Sequence, residues 1–386
     1  MRDDPGSDTR NGAMISDLAK IRIMAGISII VPTYREAENI PHLLARIDRV
    51  RQEHDLTLEV ILVDDNSRDG SVEAVATAGH DWARMIVRED ERGLSSAVIE
   101  GFRAARHPVL ICMDCDLSHP PEKIPQLILG LNAGQQFMVG SRYVPGGSTD
   151  DDWGFLRWLN SRIATALARP LTQIRDPMSG FFALRKSDFD KAQALNPVGY
   201  KIALELIVKC GFENVGEVPI RFADRIHGQS KLGLREQLQY LQHLRRLYLY
   251  RFANAMHLAQ FLVVGASGVV VNLAVLSLLL LLGLPDAACL AGGIAVSLVT
   301  NFLLNRRFTF SYAKDGPILR QFAGFVTASG LGLVVNYAVA LFAHRNLFGD
   351  LDWSLQIAAM LGIAAGTGFN FLGARYLVFR KRFVRK

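Results

Sequence analysis

Two aspartates one residue apart, Asp114 and Asp116 in the string MDCDLSHPPE, are the first residues of this chain whose type and spacing suggest chemistry. In an unbroken strand such a pair points to opposite faces. Where a strand breaks into a loop, both carboxylates reach one divalent ion. A hard ion such as Mg2+ or Mn2+ combines one or two carboxylates with waters and substrate phosphates. Asp114 and Asp116 are therefore the candidate metal ligands, and such an ion neutralises a diphosphate as it departs. A second acidic pair, Asp64 and Asp65 in VDDNSRDGS, is placed to read a nucleobase or ribose through Asp65, with Asn66 and Ser67 capping the helix that follows.

The basic candidates lie in three other strings. Arg142 sits in the Gly-rich GSRYVPGG, where backbone can approach a ligand closely. Arg157 and Ser161 lie in DWGFLRWLNSRIATALARPL, which alternates aromatic and aliphatic residues with arginine as an interfacial helix does. Arg225 and Lys231 lie in RFADRIHGQSKL, a basic loop suited to closing over a diphosphate. His119 reads as a loop hydrogen-bonder ahead of Pro120 and Pro121, and no Ser/His/Asp set marks a hydrolytic centre. The chemistry this set suits is transfer to an acceptor that needs no general base. A phosphate is such an acceptor, being anionic at neutral pH, and its direct attack inverts the centre it reaches.

These residues need a scaffold, and the first part of the chain alternates strand and helix signals. GISIIVPTY, LEVILVDDNS, ARMIVRED and PVLICMDCD read as strands, with ENIPHLLARIDRVRQ, SVEAVATAG and SSAVIEGFRAARH as helices between them. Near-continuous Val/Ile/Leu strands separated by helices predict an α/β fold with a parallel sheet covered on both faces. Ligands of such sheets bind at the carboxyl ends of the strands, where PTY, DDNS and MDCD fall.

Beyond about Phe252 the chain changes character. Four apolar stretches of spanning length run roughly over residues 258–282, 287–304, 322–343 and 355–379, and about 20 apolar residues suffice to cross a bilayer. Arg306, Arg307, Lys314 and Arg320 follow the second stretch, and Arg380, Lys381, Arg382, Arg385 and Lys386 follow the fourth. The positive-inside rule then puts both termini and the first domain in the cytoplasm. A repeat is also visible: GVVVNLAV from Gly268 matches GLVVNYAV from Gly332. Asn301, Phe302, Leu303, Arg306 and Phe310 recur with identical spacing as Asn370, Phe371, Leu372, Arg375 and Phe379. Two copies of a helical hairpin predict a parallel repeat about an axis along the membrane normal. Asn272 and Asn336 should then face each other or a partner helix, and Arg306 and Arg375 should snorkel to lipid phosphates.

Bulk properties agree with this division. Half of the 386 residues are hydrophobic, and mean hydropathy is +0.18. The net charge of +6 has no basic stripe interleaved with aromatics, so nucleic acid is not among the predicted partners. Of the four cysteines, Cys112 and Cys115 have CxxC spacing without a second CxxC or His pair, and read as reduced, incidental thiols. The predicted organisation is a loose extension over 1–26, an α/β domain over 27–232, an amphipathic interfacial connection over 233–257, and a four-helix membrane domain over 258–386.

Taken in order, IIVPTYREAENI, VDDNSRDGS, RGLSSAVIEGF, MDCDLSHPPE, VGSRYVPGG, RDPMSGFFALRK, GYKIALELI and EVPIRFADRIHGQSKL closely resemble the polyprenyl-phosphate (dolichyl-phosphate) mannose synthases, inverting glycosyltransferases of the GT-A fold. The last four spans resemble the GtrA-like module that some of them carry. The resemblance implies mannose transfer from GDP-mannose, or another nucleotide sugar, to a polyprenyl or dolichyl phosphate at the cytoplasmic face of a membrane. By the same resemblance Pro32, Tyr34, Glu36, Val63 and Asp65 hold the nucleoside. Asp114, Cys115 (through its backbone) and Asp116 hold metal and donor, Arg225 and Lys231 the diphosphate, and Arg142, Arg157 and Ser161 the acceptor phosphate. Asp116 and Arg142 become the catalytic pair. Two positions depart from the family pattern: Ser118, the third metal-site residue that the resemblance implies, stands where some relatives have a Gln metal ligand, and Arg35 replaces the usual Asn. The other readings weighed are a UDP-glucose-dependent relative, a processive polysaccharide synthase, which the QHLRR string at Gln242 argues against for want of a Trp, and a lipid-carrier transporter with a binding-only soluble domain.

Overall fold

The computed structural model describes residues 25–149, 155–192, 195, 201–222, 234–348 and 353–380. Two compact units divide the chain between Arg251 and Phe252. In the first, strands β1 (Ile27–Thr33), β2 (Leu58–Asp64), β3 (Ala83–Val87), β4 (Val109–Cys112), β5 (Phe137–Ser141), β7 (Phe182–Arg185) and β8 (Val215–Pro219) form one sheet in the order β3-β2-β1-β4-β7-β5-β8. A short parallel pair, β6 (Ser148–Thr149) with β9 (Arg221–Phe222), lies outside it. Helices α1 (Asn39–Glu53), α2 (Ser71–Ala78) and α3 (Leu94–Ala104) are the crossovers that the periodicity predicts, and α4 (Ile124–Asn132) follows β4 where no helix is predicted. Every residue of β1 and β2 is buried, the signature of a sheet covered on both faces. Separate apolar clusters fill the two sides, one around Ile29, Leu43 and Leu127, the other around Ile30, Phe102 and Phe182.

The sheet departs from the all-parallel expectation at β7, which runs antiparallel between β4 and β5. The chain order reverses beside β1, which is flanked by β2 and β4, so the carboxyl ends of those three strands bound the crevice predicted to take ligands.

Helices α5 (Phe155–Ala168), α6 (Lys186–Phe189), α7 (Ile202–Cys210) and α8 (Leu234–Arg251) complete the unit. Leu244 and Leu247 of α8 pack on Ala168 of α5 and on Leu204 and Val208 of α7. The hydroxyls of Tyr240 and Tyr248 donate to the carbonyls of Ala164 and Leu167, at 2.7 and 2.8 Å.

The second unit has four helices long and apolar enough to cross a membrane: α9 (Ala253–Leu281), α10 (Asp286–Leu304), α11 (Ile318–Ala343) and α12 (Ser354–Leu372). They pair as hairpins, α9 with α10 and α11 with α12, and small residues let the backbones close. Asn301 fills the space where Gly268 lacks a side chain, and Asn370 does so at Gly332. In return Asn272 lies on Gly293, and Asn336 on Gly362 and Gly366, so both asparagines face a partner helix as expected.

The aromatic core repeats the same symmetry. Phe261, Phe302 and Phe310 are answered by Phe325, Phe371 and Phe379. The Phe302–Phe325 and Phe261–Phe371 centroid distances match at 5.8 and 5.7 Å, and Phe310 stacks on Phe379 at 4.8 Å where the copies meet. The snorkelling expected of Arg306 and Arg375 is corrected here. Arg306 donates across to Gln321 of α11 (2.9 Å) and to the carbonyls of Lys314 and Gly316. Arg375 bonds His257 Nδ1 (2.5 Å) and donates to Asn254 Oδ1 (2.5 Å) of α9. His257 and Gln321 hold matching positions, eleven residues before Gly268 and Gly332, so each hairpin clasps the other through an arginine. Charge-assisted hydrogen bonds across the hairpins engage both guanidinia.

Candidate active site

The carboxyl edge of the sheet is built from three loops that follow β1, β2 and β4. Pro32 pairs with Val63, and Thr33 with Asp64, which sets two of the predicted nucleoside residues side by side. Asp64 is buried and organises both neighbouring loops. It accepts from the Ser67 N–H at 2.8 Å and from the Ser67 and Thr33 hydroxyls, while Ser67 Oγ accepts the Arg35 N–H at 2.8 Å. The capping expected of Asn66 and Ser67 is not what forms. Gly70 is the residue before α2, Asp69 accepts from the N–H and hydroxyl of Ser71, and Asn66 accepts from Arg68. The loop runs on too far for either residue to reach the first turn. A cleft of about 420 Å³ opens here, lined among others by Asp64, Asn66, Asp69 and Val87.

Asp65 is buried against Arg88, whose Nε and Nη2 both donate to Oδ1, while its Oδ2 accepts the Gly93 N–H at 2.8 Å. Asp65 thereby ties the loop after β3 to the end of β2. Tyr34 stands exposed above this edge, with the guanidinia of Arg35 and Arg92 at 5.4 and 5.6 Å from its ring centroid. Glu36 turns back on α1, its carboxylate accepting from Asn39 Nδ2 at 2.6 Å.

After β4 the chain makes a sharp turn through Leu117, whose φ is +63°. Asp116 is buried, and its Oδ1 accepts the Ser118 N–H (3.2 Å) and hydroxyl (2.6 Å). Ser118 thus orients Asp116, leaving its own lone pairs to any ion. Asp114 is more open, and its N–H donates to His119 Nδ1 at 2.9 Å, which puts the imidazole proton on Nε2. His119 stacks on Phe181 and is the loop hydrogen-bonder anticipated from sequence. A side chain at Gly180 would come within 3.3 Å of Asp114 Oδ1 and 3.2 Å of His119 Cε1, so glycine there keeps the Asp114 carboxylate in place. Burial, then the carboxylates of Glu36, Asp116, Asp114 and Asp69, push the Cys115 thiol well above its usual range. Asp114 and Asp116 offer hard oxygen donors at this turn, the kind that suits Mg2+ or Mn2+. Among the described residues no three metal-ligating side chains are preassembled.

Arg142 leaves the end of β5 and is locked by Asp176, a residue not singled out from sequence. Its Nε and Nη2 donate to the two carboxylate oxygens at 2.7 and 2.8 Å, and its backbone N–H donates at 3.1 Å. Asp176 is fully buried, and its N–H and that of Arg175 donate to Glu217 of β8. Burial works against the Arg142 charge, but the bonds to Asp176 outweigh it and hold its pKa above the ordinary value. Ser161 of α5 hydrogen-bonds the hydroxyl of Tyr143, the residue after Arg142, at 2.6 Å. A second residue missed from sequence, Lys201, precedes α7 within electrostatic reach of Arg142, Asp176 and Asp114. Burial, then repulsion from Arg142, draws its pKa down to about 7 against the pull of the two aspartates. Arg157 lies in α5 with its side chain outside the described residues, as Arg225 and Lys231 lie wholly outside them.

Comparison with known proteins adds the following. Residues 28–192 match Glycosyl transferase family 2, and residues 260–379 match the GtrA/DPMS transmembrane domain. A dolichol-phosphate mannosyltransferase of Pyrococcus furiosus is 37% identical over 358 residues, covering 92% of this chain and 99% of its own. One of Mycosarcoma maydis is 47% identical over 59% of this chain and 80% of its own. Among solved structures, glucosyl-3-phosphoglycerate synthase of Mycobacterium tuberculosis aligns with a TM-score of 0.47 at 19% identity, over 61% of this chain and 83% of that one.

Proposed function

Because the chain belongs to the dolichol-phosphate mannosyltransferase family, and is an integral-membrane glycosyltransferase with a GT-A domain, we propose that it transfers mannose from GDP-mannose to a polyprenyl phosphate. The reaction takes place at the cytoplasmic face, with inversion, and gives a β-linked mannosyl phospholipid carrier. The observation that carries this reading is the Arg142–Asp176 fork, set within electrostatic reach of the turn that bears Asp114 and Asp116. A donor diphosphate at the acidic turn and an acceptor phosphate at the arginine then meet at one sheet edge.

Asp114 and Asp116 hold a divalent ion, which supplies charge neutralisation to the leaving diphosphate. Pro32, Tyr34, Glu36, Val63 and Asp65 bound the nucleoside, with Asp65 acting chiefly by fixing the Arg88–Gly93 loop. Arg225 and Lys231 cover the diphosphate. Arg142, oriented by Asp176, and Ser161, oriented by Tyr143, hold the acceptor phosphate with Arg157. The acceptor oxygen is already anionic, so no side chain has to remove a proton from it. Alignment of the two substrates then supplies much of the acceleration.

The test is transfer of labelled sugar into organic-extractable lipid by the purified, detergent-solubilised protein with Mg2+ or Mn2+. GDP-mannose, UDP-glucose and UDP-N-acetylglucosamine are supplied in parallel with a polyprenyl phosphate. Mannosyl lipid from GDP-mannose is expected. Equal or faster transfer from UDP-glucose overturns the donor assignment.

A further inference from the structure

The Tyr34 edge has a feature that the nucleoside set above does not use. Tyr34 is 40% exposed at the mouth of the crevice, and two guanidinia gather at its ring, Arg35 at 5.4 Å and Arg92 at 5.6 Å from the centroid. Arg35 is held by its own backbone, and Arg92 adjoins a fixed glycine. Arg35 has φ +62°, a left-handed conformation unusual for arginine, and its N–H is fixed by Ser67 Oγ at 2.8 Å. Arg92 precedes Gly93, whose N–H is fixed by Asp65 Oδ2 at 2.8 Å. Asp65 already accepts three hydrogen bonds from Arg88 and Gly93, which commits it chiefly to fixing this loop.

We propose that Arg35 and Arg92, carried on the Tyr34 platform, read the O6/N7 edge of a guanine and so select a guanine nucleotide over a uracil one. The inference rests on the donor site proposed above and names its specificity residues. An aromatic ring accepts any base by stacking and so cannot discriminate. A guanidinium is a planar fork whose two parallel N–H donors match the adjacent O6 and N7 acceptors of guanine. Uracil presents O4 beside a C5–H, so the same fork meets one acceptor instead of two. A matched fork of this kind discriminates by roughly ten- to a hundredfold.

The experiment measures binding of GMP and UMP to the full-length protein in detergent, by calorimetry, for wild type and two double variants. Arg35→Asn with Arg92→Gln removes both forks; asparagine tolerates the left-handed backbone at position 35, so the loop is kept. Arg35→Lys with Arg92→Lys keeps both charges but removes the planar forks. Wild type should prefer GMP, and both double variants should lose at least tenfold in GMP affinity with UMP unchanged within twofold. The unchanged UMP affinity certifies a folded site. A GMP preference that survives the Asn/Gln variant overturns the inference. Recovery of that preference by the Lys variant also overturns it, since charge on the phosphate would then suffice. A wild type that does not prefer GMP refutes the donor reading itself, which is a distinguishable failure.

Discussion

Replacing Asp176 by Asn isolates what a buried counter-ion contributes to acceptor binding. The Arg142 side chain is 10% exposed and that of Asp176 0%, so the pair is screened little by solvent. Asparagine keeps the shape and one carbonyl acceptor, but three N–H donors now converge on it where the carboxylate offered two oxygens. Removing one partner of a buried ion pair costs about 3–5 kcal/mol. The retained carbonyl and the open crevice put this variant near the lower end, at about 3 kcal/mol. That is a sizeable share of a typical folding free energy, yet small enough for the domain to stay folded. The functional effect comes through position. A guanidinium displaced by about 1 Å from the acceptor phosphate loses roughly a hundredfold in rate, or about 2.7 kcal/mol in the barrier. The assay titrates polyprenyl phosphate and GDP-mannose separately and measures GDP binding calorimetrically. A hundredfold fall in kcat/KM for the lipid, with GDP affinity unchanged, is expected. Arg142→Lys should fall similarly, because one ammonium cannot span both oxygens of Asp176. Weakened GDP binding with normal acceptor kinetics would place Arg142 and Asp176 on the donor side and refute the reasoning.

Gly180→Ala should cut the transfer rate about tenfold without loss of fold, since its methyl would press on Asp114 at 3.3 Å and His119 at 3.2 Å. Unchanged rates would mean that Asp114 needs no fixed position. Lys201→Met tests a pH dependence whose sign follows from a folded pKa of about 7, below the model-compound value of 10.5. Between those values the unfolded chain binds the extra proton, so wild-type stability rises with pH there. The variant, measured in EDTA without substrate, should be the more stable near pH 7 and lose that advantage towards pH 10; a pH-independent difference in Tm counts against the assignment. Arg375→Ala removes the clasp to His257 and Asn254 and should lower detergent thermal stability while leaving GDP affinity intact. A change in GDP affinity would show that the second unit shapes the donor site.

What could be read from sequence was what repeats or alternates. Val/Ile/Leu runs bounded by acidic or Pro residues located β1, β2 and β4, because a sheet buried on both faces leaves few polar positions inside a strand; the buried Ser28 and Glu59 of β1 and β2 hydrogen-bond each other. The antiparallel β7 was hidden, because FALR is four residues long and gives no periodic signal. Asp176 was hidden for another reason: its partner lies 34 residues away, and nothing in RDPMSGFF announces a fully buried carboxylate. The one available signal was an acid set against an apolar stretch, since such residues are rarely buried unless paired. Lys201 offered even less, standing as a single lysine in GYKIALELI. In the second unit the repeat disclosed that Arg306 and Arg375 are equivalent, but equivalence does not say which helix each one faces. Only packing could show that both cross to the other hairpin.

The same distinction explains why strain gathers where the proposed chemistry is. Of the five non-glycine residues with positive φ among those described, four lie just past the carboxyl ends of β1, β2 and β4: Arg35, Asn66, Arg68 and Leu117. A β-strand that simply ended would send its loop away from the crevice. These left-handed turns bend the chain back over the strand ends, and the buried groups beneath them hold the bend. Asp64 fixes Ser67, Ser67 fixes Arg35, and Ser118 fixes Asp116 one residue past the Leu117 turn. Such conformations cost on the order of 1–3 kcal/mol each and persist only where their surroundings over-determine them. The hydrogen bonds that over-determine these loops run from residues with no proposed contact to substrate to residues that have one. Relaxing a loop should therefore cost alignment of the two phosphates before it costs stability of the sheet.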